Sequence, residues 1–510
     1  MLKPLRLLLW PLILALFLGG CVPQRRSGDG SNGIALPEPD REPENMILGE
    51  KLPSRLSDVS LYYPMSDGAT FSQVSMGIRV DAGQSRPEAA VNALLNPPEG
   101  QSRAGFAGDT RLLSCEYARG IATVNLSIDA RNAQSEQEEL AMLTAIGNTL
   151  LGIDGVVGVN VLVGGQSESF AHLPMGVQTE VIPSVTAAYA QLLAERDHLL
   201  TSDPMPVTRR ATLYFPTDSG TSAEGSWLVP ELREVVFRSD DFAATLIEAL
   251  KAGPQAGDCA VASIPAGVEL LEPNPQVETL PTGEHALSLN FSSALANYLV
   301  LSGLDVWELA GSLTLTVCSF LPEIDALRLL VDGEPITVCQ IGDAVLRFED
   351  GLIRRDDFAG RVGSVATLYL AAPDGSLQAV RRAVSTRSAL SPRNLLSELF
   401  YYSGRGNGLR FPVPENVFAD DILGIQLSGH VARVNLSANF YRCCQPLNAR
   451  AERRLVYCMV NTLCELDDIR AVRFYVEGLA ADTLAGSVYL RAPLLPNPGI
   501  VAMPTAAGEP

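Results

Sequence analysis

Reactive side-chain constellations are what this 510-residue sequence has least of. Its four histidines, His172, His198, His285 and His430, fall in unrelated positions, and none lies at ligand spacing from a cysteine. There is no H-E-x-x-H pair for a catalytic zinc, no G-x-S-x-G elbow for a serine nucleophile and no glycine loop that cradles phosphate. C-x-x-C pairs, which mark thiol redox and many zinc sites, are missing as well. A catalytic centre needs convergent partners, so these absences point away from an enzyme and leave no cofactor or metal to expect. Basic charge is scarce too: 38 Lys and Arg stand against 58 Asp and Glu, a net charge of −20. With no basic cluster, nucleic acid and anionic membrane faces are poor partners, and solubility is the plain reading of the acidity. Three tryptophans, Trp10, Trp227 and Trp307, offer no platform for stacking sugars.

What the sequence does have begins at its N-terminus. Lys3 and Arg6 precede an apolar run from Leu7 to Phe17, and Leu18-Gly19-Gly20-Cys21 closes the segment. The run is shorter than the roughly 20 residues a spanning helix needs. A charged start, a short apolar core and small residues before the cut describe a signal peptide. The ending resembles a lipobox, which implies that Cys21 becomes the mature N-terminus and carries a lipid. The expected location is therefore the extracytoplasmic face of a bacterial membrane, and the membrane itself is the first expected partner. Loss of Lys3 and Arg6 takes the charge from −20 to −22. Val22 to Ser57 is rich in Pro, Gly, Ser and charge, and cannot bury enough surface to offset its chain entropy. About 36 such residues reach on the order of 30–35 Å, the length of a tether.

The rest of the chain repeats itself. Val59-Ser-Leu-Tyr-Tyr-Pro64, Ala211-Thr-Leu-Tyr-Phe-Pro216 and Ala366-Thr-Leu-Tyr-Leu-Ala371 are close copies, with Tyr62, Tyr214 and Tyr369 spaced 152 and 155 residues apart. Val124-Asn-Leu-Ser127, Leu289-Asn-Phe-Ser292 and Val434-Asn-Leu-Ser437 form a second landmark. The third is an alternating apolar run ending at Gly165, Gly333 or Gly478, which lies 40, 43 and 43 residues beyond the landmark Asn. Alternation with β-branched and aromatic residues marks strands, and Leu140/Leu143/Ile146/Leu150 and its counterparts mark helices. Each repeat reads β-β-α-β-β-α-β, a small mixed sheet with two helices packed on one face, so the fold class is α+β (mixed α/β).

The boundaries follow: signal 1–20, tether 21–57, repeat 1 at 58–168, a linker 169–209 with a helix over Val185 to Leu200, and repeat 2 at 210–335. A connector 336–363, repeat 3 at 364–480 and a tail 481–510 complete the chain. Turn residues and charge in the two joints predict repeats that fold separately. The Asn-x-Ser sequences at Asn125, Asn290 and Asn435 read as conformational, because Asn and Ser can bond the backbone where a strand leaves its sheet. Cys443, Cys444, Cys458 and Cys464 are open to three readings: buried apolar residues, a disulfide, or metal ligands.

At these landmarks the chain resembles the GerMN domain of spore-germination and sporulation lipoproteins. The Leu-Tyr opening strand, Val91-Asn-Ala-Leu-Leu95, Ser263-Ile-Pro-Ala-Gly267, the Val-Asn-Leu-Ser strand end, Asn148-Thr-Leu150, Asn461-Thr-Leu463 and the closing strand carry the likeness. Repeat 2 departs from it, with Thr316-Val317-Cys318 in place of Asn-Thr-Leu. The resemblance implies a fold similar to the ring-building motif of sporulation machinery. It also implies a non-catalytic role in assembly or interaction during sporulation or germination, with envelope proteins or the chain itself as partners. The alternative is an envelope sensor that binds a cell-wall fragment or a small solute.

Overall fold

In the computed structural model the described residues are 46–502, except 66, 98–105, 107, 200, 202–204, 218–224, 240, 256–258, 273–274, 323 and 403–407. The signal segment, Cys21 and most of the expected tether lie outside them. Repeat 1 opens with a hairpin of Arg55–Pro64 and Phe71–Val80, followed by a helix Arg86–Leu95. Strands Leu112–Ala118 and Ile121–Leu126, a second helix Glu136–Leu151 and a closing strand Gly158–Val163 complete it. Repeat 2 repeats the order with hairpin Val207–Pro216/Leu228–Phe237, helices Phe242–Lys251 and Val306–Cys318, and strands Gln276–Thr279, His285–Phe291 and Ala326–Val331. Repeat 3 does so with Gly363–Ala371/Leu377–Ser385, helices Pro392–Tyr401 and Ala449–Leu463, and strands Ile422–Ser428, Val431–Leu436 and Ala471–Val476.

The first helix starts where a side chain can take up its free N–H groups: Ser85, Asp241 and Ser391 each accept from the backbone three residues on. Pro87 and Pro392 occupy the first turn, where a missing N–H costs nothing. In every repeat the last three major strands form a mixed sheet, antiparallel then parallel. The opening hairpin forms a separate two-stranded sheet that lies along the second helix, rather than joining the mixed sheet.

Two hydrogen bonds recur in all three repeats and explain the landmarks. The closing strand turns back through Gly164-Gly165, Asp332-Gly333 or Glu477-Gly478, both residues having positive φ. This is the two-residue loop that matches strand twist, and glycine adopts it without strain. The side-chain carbonyl of Asn125, Asn290 or Asn435 accepts from that glycine's N–H at 2.8, 2.9 and 2.8 Å. The landmark Asn and the landmark Gly are thus the two ends of one bond. The second bond joins the hairpin to the second helix: Thr149, Thr316 and Thr462 accept from the backbone N–H of Tyr62, Tyr214 and Tyr369 at 2.9, 3.0 and 3.0 Å. Thr316 therefore stands where Thr149 and Thr462 stand. The correct register in repeat 2 is Leu315-Thr316-Val317, one residue earlier than expected, with leucine in place of the asparagine and valine in place of the leucine.

That replacement has a structural correlate. After each closing strand the chain returns to pair antiparallel with it, at Val159↔Gln178, Leu327↔Ile353 and Val472↔Leu494. In repeats 1 and 3 the helix asparagine bonds the returning segment, Asn148 to Ile182 and Asn461 to Asn497. In repeat 2 the position is the buried Leu315, and the returning residue is the buried Ile353.

Residues 49–51, placed in the tether, form a strand against repeat 3. In the linker, Val185–Leu199 is a helix, and Leu173, Leu199 and Val207 share a small cluster. The connector carries Phe348, Ile353 and Phe358 into the core of repeat 2, where burying each is worth about 1.5–3 kcal/mol. Some of its charges are engaged, Asp357 accepting from the Arg354 N–H and Arg355 pairing with Glu116. The tail is folded through residue 502: Leu484 and Leu490 are fully buried, and Glu452 accepts from the N–H groups of Leu484, Ala485, Ser487 and Val488. The described residues all fall within one compact unit.

Thr316→Val keeps the shape of the buried side chain and removes the acceptor for the Tyr214 N–H. Leaving that group unpaired should cost about 1–3 kcal/mol. The urea midpoint of the variant should fall accordingly, and an unchanged midpoint would show that the bond is dispensable.

Candidate functional site

The middle strands of repeat 1 are buried on both faces, Ile121–Leu126 and Gly158–Val163 throughout. One face holds the core residues Ala122, Val124, Val159 and Val161. The other presents Thr123, Asn160 and Glu116, with Thr123 paired to both of its neighbours in the ladder. That polar face receives the hairpin of repeat 2. Tyr214, the repeat 2 landmark tyrosine, is fully buried among Thr123, Ser319 and Arg355. Asn160 donates to the Ser319 carbonyl at 3.0 Å, and Arg355 donates to Glu116 at 3.0 Å, both side chains largely buried. Burial opposes the Arg355 charge, but Glu116 and Tyr214 outweigh it and hold the guanidinium above its usual range. Burial likewise pushes the Tyr214 hydroxyl up. This is a permanently charged, water-excluded joint.

Repeats 2 and 3 meet differently. Trp227, Val229 and Cys259 pack on Ala383 and Val365. A Cβ on Gly363 would lie 2.6 Å from the Trp227 Cβ, so this approach needs glycine there. Between repeats 1 and 3 a cavity of about 670 Å³ opens, lined by Glu50, Lys51, Gly83, Arg387 and Arg393 among others, none of them aromatic. Arg55 and Arg86 of repeat 1 pair with Asp468 beside it.

The histidines stay apart: His172 is in a turn with φ 61°, His198 is on the linker helix, His285 is at a strand start and His430 is in a turn. Among the described residues no group of three His, Cys, Asp or Glu side chains could hold a metal ion. All eight cysteines beyond Cys21 are free thiols. Burial pushes the Cys339 and Cys464 thiols up to about 11 and Cys444 to about 12, which disfavours the reactive thiolate. Of the C-terminal four, Cys444 and Cys458 are fully buried as apolar residues would be, while Cys443 and Cys464 are half-buried. Among the described residues no single helix is long and apolar enough to cross a membrane.

Composition and motifs did not reveal an acidic cluster under the linker helix. Glu136 accepts from the Tyr189 hydroxyl at 2.8 Å and the Ala171 N–H at 3.2 Å, tying the helix to repeat 1. Beside it Glu168 accepts from Arg131 at 2.8 Å and faces Glu139. Burial pushes Glu168 up to about 7, with Arg131 opposing and Glu139 adding to the rise. A carboxyl that holds its proton more tightly when folded contributes stability below its ordinary value of 4.5, and that contribution is lost as pH rises towards 7. The melting temperature of the wild type should therefore fall between pH 5 and 8 by more than that of Glu168→Gln. Equal slopes would remove Glu168 as the cause.

A solved structure of the tandem GerMN domains of the sporulation protein GerM from Bacillus subtilis is 16% identical, covering 57% of this chain and 98% of its own, with a TM-score of 0.22. The first GerMN domain of the same protein is 19% identical over 29% of this chain and 98% of its own, with a TM-score of 0.21. A crystal structure of a candidate lipoprotein from Clostridium perfringens is 30% identical over 22% of this chain and 78% of its own, with a TM-score of 0.16. No curated protein matches the chain. The family model for Germane, described as sporulation and spore germination, matches residues 60–169, 212–337 and 367–482, one segment per repeat. The chain belongs to the Germane family of sporulation and spore-germination proteins.

Proposed function

We propose that this protein is a non-catalytic assembly lipoprotein, held by a lipid on Cys21 to the extracytoplasmic face of the membrane, that acts by contact with envelope proteins during spore formation or germination. The family match across all three repeats carries the reading. The scattered histidines and the burial-suppressed thiols support contact over chemistry. So does a surface feature of repeat 2. Between the middle strand and the second helix, repeat 1 has only a 3₁₀ turn, Ile128–Asn132, whereas repeat 2 has a helix, Ala294–Ser302. Val300 and Leu301 at its end are 83% and 86% exposed, adjacent apolar side chains of the kind that mark interaction sites. The cavity of about 670 Å³ has no aromatic ring on which a sugar could stack, which gives a sugar-binding sensor little to build on.

Two variants test the proposal in a deletion strain. Replacing all four histidines and every cysteine except Cys21, with folding verified by circular dichroism, should leave complementation of sporulation or germination intact. Val300→Asp with Leu301→Asp should reduce it without lowering the melting temperature. Failure of the first variant would revive a catalytic or metal role. Labelling with a fatty-acid analogue should tag the wild type and not Cys21→Ala.

A further inference from the structure

The sheet of repeat 3 carries an edge strand that repeat 3 does not supply. Gly49–Lys51 runs parallel to Ile422–Ser428, pairing Gly49 with Gly424, Glu50 with Ile425 and Lys51 with Gln426. Four features of repeat 3 fit this segment. A Cβ on Gly424 would lie 2.6 Å from the Ile47 carbonyl and 2.7 Å from that of Gly49, so only glycine lets the segment pass. Asn435, whose carbonyl is already engaged by Gly478, donates its buried amide to the Ile47 carbonyl at 3.0 Å. The Ser391 hydroxyl and the Arg393 N–H donate to the Glu50 carboxylate at 2.9 and 3.1 Å, at the N-terminus of helix Pro392–Tyr401, where negative charge is favoured. Ile47 is 3% exposed while Met46 and Leu48 on either side are exposed, so one side chain anchors the segment.

Main-chain pairing for affinity and alternate side chains for selectivity are the marks of strand addition. The segment is also separable from repeat 1. Residues 52–54, with Pro53 among them, are all that joins it to the opening hairpin, and short joints of this sort favour exchange between molecules.

We propose that this edge of repeat 3 is a peptide-binding site of the strand-addition type. It takes an extended segment with an apolar anchor two residues before Gly-Glu. Its occupant is residues 46–51, held in cis and exchangeable with the same segment of a second molecule. The cis form wins when molecules are dilute, because the short joint gives it a high effective concentration.

The test uses the full chain carrying Ile47→Asp and Glu50→Lys to empty the site, and a fluorescent peptide of sequence Asn-Met-Ile-Leu-Gly-Glu-Lys-Leu. The variant should bind the peptide saturably, and the wild type, already occupied, should bind it about tenfold more weakly or not at all. Adding Gly424→Val should abolish binding. Hydrogen exchange should quicken in the variant at Ile425 to Leu427 and not across the repeat 3 core. Equal binding by wild type and variant, binding that survives Gly424→Val, or no binding by a folded variant would each overturn the proposal. So would global unfolding of the variant, which would make the segment part of the core rather than a ligand.

Discussion

A sheet has two faces, and in repeat 1 both must be covered for the fold to stand. The helices cover one, and the hairpin of repeat 2 covers the other, where Thr123, Asn160 and Glu116 meet Tyr214, Ser319 and Arg355. These groups are out of water, so each needs a partner from the neighbouring repeat. Breaking a buried pair such as Arg355–Glu116 by removing one member typically costs about 3–5 kcal/mol, because the other charge is left stranded. The pair is thus better understood as a register device than as a source of stability.

Within each repeat the same economy of partners explains what recurs. The hairpin lies outside the sheet, so its Tyr N–H has no ladder partner and takes the helix threonine instead. The closing turn needs two positive φ values, and the landmark asparagine satisfies the glycine N–H that the turn exposes. Between repeats the contacts differ. Repeat 1 meets repeat 2 through a sheet face, repeat 2 meets repeat 3 through Trp227 and Val229, and the N-terminal strand reaches repeat 3. Three like units are fused by unlike surfaces, leaving different faces open on each.

This division governs what could be read from the residues. Local order was legible: the helix stripes at Leu94, Leu246 and Leu399 are fully buried, and the spacing from Asn to Gly proved to be the span of one hydrogen bond. The register of Thr316 was missed although it matches Thr149 and Thr462, because the asparagine before it is lost and only the bond to the Tyr214 N–H fixes the position. The covering of the joints was not legible in the residues. Thr123, Asn160 and Glu116 alternate with apolar residues as a solvated face would, and only tertiary contact shows that they are covered. Arg354, Asp356 and Asp357 make the connector look like a loop, although Ile353 and Phe358 beside them are fully buried. The lipid attachment expected at Cys21 lies outside the described residues, and the inter-repeat joint centred on Arg355 carried no sequence motif at all.

If the repeats are one cooperative body, their strands should open together. Native-state hydrogen exchange on the full chain measures this for Ile121–Leu126 of repeat 1 and Val207–Pro216 of repeat 2. The account predicts one opening free energy for both sets of amides, lowered equally by Arg355→Met. Repeat 2 amides that lose protection in that variant, while those of repeat 1 keep the wild-type value, would contradict it.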